Sequence, residues 1–334
     1  MTTILCALPE DTYQRMRMSE FEAELHGMGS VIFCRQPREL SEAEYGALWE
    51  ESDAVITGWG FRAPTVETLQ RADRLKIICH TAGSVRGIPR YAIEKGIIVT
   101  SARAAIARTV AEFCLLNAMI LLRRYLVYTD TNPSRTGFYQ AAGKRIVNET
   151  LYDKTVGLIG FGFVGRYFRE LLRPFGCPTL VFDPYMSEEE ASRLQVEKTD
   201  LPALLKRSKI VSLHAPDIPE TRRMIGATEL AMIPDGAILL NSARGRIVDT
   251  DALTEELKTG RLFSALDVTD PEPLPPDHPL RTLPNVLWTP HVAGPTTDEL
   301  PRMTRMALND LARFLRGEQP LYPITLEAYD RMSF

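Results

Sequence analysis

A chain of 334 residues holds enough material for two domain cores. Its 45% hydrophobic and 25% charged content, with a mean hydropathy of −0.12, describes an ordinary soluble globular protein and not a fibrous or low-complexity one. A formal net charge of −4, from 39 basic and 43 acidic residues, gives no bulk attraction to nucleic acid or to an anionic membrane.

Residues 1–9 lack the basic region and the long apolar run of a signal peptide and read instead as a first strand. The longest other apolar stretch, 113–122, is interrupted by Asn117 and falls short of a membrane span. Five cysteines (Cys6, Cys34, Cys79, Cys114 and Cys177) are scattered without C-x-x-C spacing, which disfavours metal sites and disulfides and makes a reducing cytoplasm the default location.

In chain order, strand-like runs at 3–7, 31–34, 54–57, 75–79 and 97–100 alternate with helical patterns at 12–27, 41–51, 64–72 and 89–95. Such alternation builds a parallel sheet covered by helices on both faces, so residues 1 to about 104 form one small α/β domain. A long apolar helix follows from about 106 to 126, with Arg123 and Arg124 suited to its negative end. Residues 128–150 are polar and irregular. They read as an extended arm with Phe138, Tyr139, Ile146 and Val147 to bury, either on a partner subunit or as a surface loop.

Residues 155–183 carry the clearest pattern. An apolar strand runs into Gly160-x-Gly162-x-x-Gly165, a helix spans roughly 166–175, and a second strand at 179–182 ends in Asp183. Gly160 suits the tight turn, Gly162 the close approach of backbone to a pyrophosphate, and Gly165 the packing of helix on strand. The pyrophosphate would sit on the positive end of that helix. Asp183 is placed to accept from an adenosine ribose diol and to repel a 2′-phosphate, which favours NAD over NADP.

Further strands at 210–213, 237–241, 262–268 and 286–288 alternate with helices at 201–207, 227–233 and 250–259, giving a second doubly wound sheet. The five prolines of 271–279 mark a loop, a helix spans about 297–316, and the tail 322–334 has no clear period. Three strand ends carry suggestive groups: Arg244 after 237–241, Asp267 with Glu272 after 262–268, and His291 after 286–288. Arg grips a carboxylate with a planar fork, His moves a proton near neutral pH, and an adjacent Glu orients the ring. That trio suits hydride transfer at a 2-oxo or 2-hydroxy acid, the cofactor supplying the hydride.

Gly160-x-Gly162-x-x-Gly165, Asp183, Leu213-His214-Ala215-Pro216, Asn241-Ser242-Ala243-Arg244-Gly245, Leu266-Asp267-Val268 with Glu272-Pro273, and Thr289-Pro290-His291 resemble, in order and spacing, the motifs of the D-isomer-specific 2-hydroxyacid dehydrogenases, of the phosphoglycerate dehydrogenase and hydroxypyruvate reductase kind. The match covers most of residues 75–320. The resemblance implies two doubly wound α/β domains: a flavodoxin-like substrate domain of residues 1–104 and 296–334, and an inserted Rossmann NAD-binding domain of residues 105–295. It implies Arg244 as ligand of the substrate carboxylate, Glu272 with His291 as proton-transfer pair, Asp267 near the nicotinamide carboxamide, and backbone at Ala82 and Gly83 on the substrate carboxylate. Its cofactor set adds Phe163, Val164, His214, Ala215, Pro216, Thr221, Ser242, Ala243 and Gly294 to the glycines and Asp183. The implied partners are a small 2-oxo or 2-hydroxy acid and a second copy of the chain in a homodimer, with neither nucleic acid nor membrane.

Other residues have plainer readings. His214 caps a strand near the cofactor, His278 is a turn residue, His26 lies on a surface helix, His80 is either core or site, and Asp249 caps the helix that starts at Thr250. Ser84 and Arg86 stand where many family members show an acidic, Asn-containing turn. Arg86, Arg103 and Arg108 form either a cationic wall for a second anionic group on the substrate or a solvated surface. The rival function is an NAD-responsive, non-catalytic corepressor on the same fold. Formate or phosphite oxidation is a neighbouring alternative, against which Glu272 argues for formate, because the related enzymes carry an amide there.

Overall fold

The computed structural model describes residues 1–125 and 148–333, and the chain divides into two compact units, Met1–Thr109 with Pro295–Phe334 and Val110–Gly294. Most of the expected arm, including Phe138, Tyr139, Ile146 and Val147, lies outside the described residues.

The first unit is built on a five-stranded parallel sheet of β1 (Thr3–Cys6), β2 (Ser30–Phe33), β3 (Ala54–Thr57), β4 (Ile77–His80) and β5 (Ile98–Ser101), in the order β2-β1-β3-β4-β5. Alternate residues feed opposite faces, as a pleated strand requires. Leu5, Val55, Ile78 and Val99 pack with Tyr45 and Trp49 on one side. Ile4, Cys6, Ile56 and Cys79 pack on the other with Leu25, and with Leu308 and Leu311 of the helix Leu300–Leu315. The helix expected over 12–27 is broken into Glu10–Arg15 and Glu22–Met28 by Arg17 at φ 52 and a 3-10 turn, Met18–Phe21. The tail, without period in the sequence, forms a short helix Leu326–Asp330 capped by Thr325, and buries Ile324, Tyr329 and Met332.

The second unit holds a seven-stranded parallel sheet. Its strands are β6 (Val156–Ile159), β7 (Thr179–Phe182), β8 (Glu197–Lys198), β9 (Ile210–Leu213), β10 (Ile238–Asn241), β11 (Phe263–Leu266) and β12 (Val286–Trp288), in the order β12-β11-β10-β9-β6-β7-β8. The direction of winding reverses between β6 and β9, the place where open α/β sheets bind ligands beyond the carboxyl ends of their strands. Two doubly wound α/β sheets are the fold class expected from the sequence.

The long apolar helix runs over Arg103–Leu122, starting and ending earlier than expected. Its 20 residues pass the length and composition test for a bilayer span that 113–122 alone does not, yet 56% of its apolar window is buried inside the protein, the pattern of a core helix. Arg124 does serve the helix end, donating to the carbonyl of Leu121 at 2.8 Å while its guanidinium lies over the ring of Phe263.

Candidate active site

The glycine turn is shaped by what surrounds it. Gly160 sits at φ +89, and a Cβ there would lie 2.7 Å from the Ala215 nitrogen; one on Gly165 would lie 2.7 Å from the Gly160 oxygen. Gly162, by contrast, has no atom within 4 Å of its Cβ position. It is also the N-cap of the helix Phe163–Leu172, offers no side-chain cap, and is followed by a first turn without acidic residues. The N-terminal end of that helix, which begins Phe163-Val164-Gly165, is therefore suited to an anion. At the end of β7, Asp183 accepts from the backbone N–H of Phe161 at 2.7 Å and of Tyr185 at 2.9 Å, one on each oxygen. Each oxygen keeps a lone pair for a hydroxyl. These features fit the diphosphate and ribose of NAD.

Beyond β9, the hydroxyl of Thr221 donates to the Pro216 carbonyl at 2.5 Å and accepts from Ile218 N–H, closing the turn that begins His214-Ala215-Pro216. His214 Nε2 is shut off from solvent with no hydrogen-bond partner among the described residues, and burial pushes its pKa down to about 3. A neutral ring of that kind does not exchange protons near pH 7. Its orphaned nitrogen is a second feature that fits a bound polar group at this strand end.

After β10, Asn241 accepts from Ala243 N–H at 3.1 Å and donates to the Arg244 carbonyl at 3.0 Å, fixing the turn Ser242-Ala243-Arg244. Ser242 accepts a weak bond from the Cys114 thiol at 3.7 Å. Burial lowers the pKa of Arg244, opposed by the charges of Glu272 and Asp217. Its Nη1 donates to the Ala243 carbonyl at 2.7 Å. A half-buried guanidinium with spare donors is matched to an anionic ligand. Asp249 caps the next helix through the N–H groups of Asp251 and Ala252, as expected.

The proton-transfer pair comes from the loops after β11 and β12. Glu272 Oε1 lies 2.5 Å from His291 Nδ1, and a cavity of about 250 Å³ opens beside them, lined by Asp267, Thr269, Trp288 and Thr289 as well. An ionised carboxylate only accepts, so Nδ1 carries the hydrogen and Nε2 is left to a reacting group. Sequence reasoning missed how His291 is held. Asp267, 2% exposed, accepts from the Thr289 hydroxyl at 2.6 Å and Val292 N–H at 2.8 Å on one oxygen, and from Ala293 N–H at 2.9 Å on the other. Its own carbonyl accepts from His291 N–H at 2.9 Å, and His291 is locked at φ 55. The only sequence signal was a hydroxyl two residues before the histidine. Gly294, last in the expected cofactor set, has no atom within 4 Å of its Cβ position.

In the other unit, Ser101 donates to the carbonyl of Gly83 at 2.6 Å and of Ala82 at 3.2 Å. Among the described residues no acceptor engages the N–H of Ala82 or Gly83. His80 resolves as core: 3% exposed, with Nδ1 2.8 Å from the Thr57 hydroxyl. His278 caps the 3-10 turn Pro279–Arg281, and His26 is exposed beside Phe33. Of the three arginines, Arg86 reaches the Tyr329 carbonyl at 3.4 Å, Arg103 is half-buried with its pKa lowered by burial, and Arg108 is exposed.

Residues 116–293 match the domain family described as D-isomer specific 2-hydroxyacid dehydrogenase, NAD binding domain. The D-3-phosphoglycerate dehydrogenase of Methanocaldococcus jannaschii is 34% identical over 80% of this chain, and the match spans about half (51%) of that longer protein. The glyoxylate reductase of Korarchaeum cryptofilum is 34% identical over 76% of this chain and 77% of its own length. A similar solved structure is the NAD-complexed D-isomer specific 2-hydroxyacid dehydrogenase of Lactobacillus delbrueckii ssp. bulgaricus. It has a TM-score of 0.77 at 24% identity, covering 97% of this chain and 100% of that one, and speaks for the fold.

Proposed function

Because the chain belongs to the D-isomer specific 2-hydroxyacid dehydrogenases and its cofactor is NAD, we propose that it interconverts a D-2-hydroxy acid and its 2-oxo acid with Arg244, Glu272 and His291 as the catalytic groups. When bound, NAD supplies the hydride acceptor, or NADH the donor. Arg244 grips the substrate carboxylate through two parallel N–H donors, and the N–H groups of Ala82 and Gly83 bind the same carboxylate. His291 Nε2 gives a proton to the oxo oxygen in reduction and takes it back in oxidation, while Glu272 fixes the ring through Nδ1. Asp267 serves the nicotinamide carboxamide as well as the loop of His291. The observation that carries this reading is the 2.5 Å contact of Glu272 with His291, on a sheet whose neighbouring strand β10 ends in the half-buried Arg244.

A panel of 2-oxo acids that includes glyoxylate, hydroxypyruvate and pyruvate, followed at the nicotinamide absorbance with NADH, tests it. Reduction of at least one, with oxidation of the D but not the L hydroxy acid, is expected; no turnover of any would leave the corepressor reading. Arg244→Lys should raise KM for the oxo acid about 10-fold or more, because a point charge cannot copy the fork. His291→Ala should lower kcat by about 10² to 10⁴, with NADH binding within about twofold. Unchanged turnover in that variant removes His291 from the mechanism. The same reading makes the protein a cytoplasmic homodimer. Leu116 and Met119, 54% and 40% exposed on the long helix, support the dimer, and light scattering at twice the chain mass tests it.

A further inference from the structure

We infer that the C-terminal segment sets the geometry of the loop bearing Ala82 and Gly83, with Ser84 and Tyr329 as positioning residues for the substrate carboxylate. The inference rests on the assignment of those two N–H groups to that carboxylate.

The loop leaves β4 at His80 and is held from three directions. At its start, Thr81 N–H donates to the Thr57 carbonyl at 2.8 Å, beside the bond between His80 and the Thr57 hydroxyl. In its middle, Ser101 and the Ala102 N–H occupy the carbonyls of Ala82 and Gly83, leaving the N–H sides of these peptides for a ligand. Its far end is held by the tail. Ser84 donates to the Ser333 carbonyl at 2.7 Å, Arg86 donates to the Tyr329 carbonyl with its guanidinium 4.9 Å from that ring, and the Tyr329 hydroxyl donates to the Ile88 carbonyl at 2.7 Å. Ser84 and Arg86, the two departures from the common family turn, thus engage the tail.

The tail can act as a fixed support because it is anchored elsewhere. Asp310, 1% exposed in the helix Leu300–Leu315, accepts from Leu321 and Tyr322 N–H; Ile324 N–H donates to the Val99 carbonyl in β5; Arg90 pairs with Asp330 at 2.9 Å. Ile324, Tyr329 and Met332 share a core with Val85 and Ile88 of the loop. That apolar packing holds the segment in place, whereas the bonds of Ser84 and the Tyr329 hydroxyl fix its register against the loop. A shift of about 1 Å between two donors and a carboxylate is enough to weaken productive binding.

The experiment compares full-length Ser84→Ala, Tyr329→Phe and Ser84→Thr with the parent protein. Loss of one positioning bond should raise KM for the 2-oxo acid about 3- to 10-fold in the first two, with kcat and the NADH Kd within twofold, and Ser84→Thr should restore it. Independently of turnover, amide exchange across residues 82–86 should quicken in Ser84→Ala and Tyr329→Phe. Unchanged exchange and KM would overturn the inference, and so would a parallel rise of KM and NADH Kd with a lower melting temperature, the mark of general loosening. A parent protein that reduces no 2-oxo acid would sink the functional reading instead, and the exchange rates alone would then decide whether the tail positions the loop.

Discussion

Asp267 shows how one buried carboxylate can prepare a neighbouring side chain for chemistry. A residue other than glycine at positive φ costs free energy and persists only where its surroundings over-determine it. Around His291 they do: the N–H groups of His291, Val292 and Ala293 and the Thr289 hydroxyl all point at Asp267, three of them at its carboxylate. The ring is then offered to Glu272 from a backbone with little freedom. In Asp267→Asn, one oxygen becomes an NH₂ group that faces a donor, whichever way the amide turns. That variant should lose about 1–3 kcal/mol of stability and also turnover, whereas Thr289→Val, which removes a single bond, should lose about 1 kcal/mol. Urea midpoints beside kcat check both; an Asn variant matching the parent in the two measurements would show that the carboxylate does not hold the loop.

The glycine turn separates two kinds of requirement within one element. Gly160→Ala puts a methyl group at φ +89 and 2.7 Å from the Ala215 nitrogen, so it should cost stability by more than about 2 kcal/mol. Gly162→Ala enters open space at an ordinary φ of −74; it should change stability by about 1 kcal/mol or less yet weaken NADH binding about 10-fold or more, as measured by fluorescence titration against thermal melts. Equal effects of the two on both measurements would refute that division. The turn was legible because its strand, glycines, helix and acid are all local. Buried strands such as Ala54–Thr57, Thr179–Phe182 and Ile210–Leu213 were legible for the same reason, as short apolar runs between turn signals. Periodicity could not see the left-handed Arg17, whose flanking residues Tyr13, Met16 and Met18 are apolar and buried on both sides of the break. The helix Glu188–Leu194 escaped because only Ala191 is buried, although Ser187 before three glutamates is a usable cap signal. Arg244, Glu272 and His291 could be named from their motifs. The grip of Asp267 on Thr289 and that of Ser333 on Ser84 join residues far apart in sequence, and no local pattern encodes them.

Each unit of the molecule also carries a histidine that folding keeps neutral, and this gives the whole chain a defined response to acid. Residues beyond 295 belong to the packing of the first unit, since Leu308, Leu311 and Ile324 are buried in its two cores. His80 lies in that unit, and burial pushes its pKa down to about 4 against a smaller opposing bond to the Ser84 backbone; His214 lies in the other, pushed by burial down to about 3. A group whose folded pKa is depressed stabilises the fold fully above its unfolded value, near 6.5 for histidine, and loses that contribution as pH falls towards the folded value. Both histidines therefore act in one direction, by on the order of 3 kcal/mol for His80 and on the order of 5 kcal/mol for His214 over the whole window of each. Carboxylates enter later. Burial raises the pKa of Glu149, but its ion pairs with Lys154 and Lys209 outweigh that and lower it overall, so its contribution is lost only below the ordinary carboxylate range. Asp310 opposes the trend: burial outweighs its backbone bonds and raises its pKa, so protonation favours the fold. Urea unfolding measured from pH 7.5 to 4 should thus show its steepest loss of stability between about 6.5 and 4. His80→Gln should be less stable than the parent at pH 7.5 but lose less on acidification, because amide and parent ring can both meet Thr57 and only the ring titrates. An identical pH slope in the two proteins would mean that the charging of His80 does not govern acid unfolding of its unit.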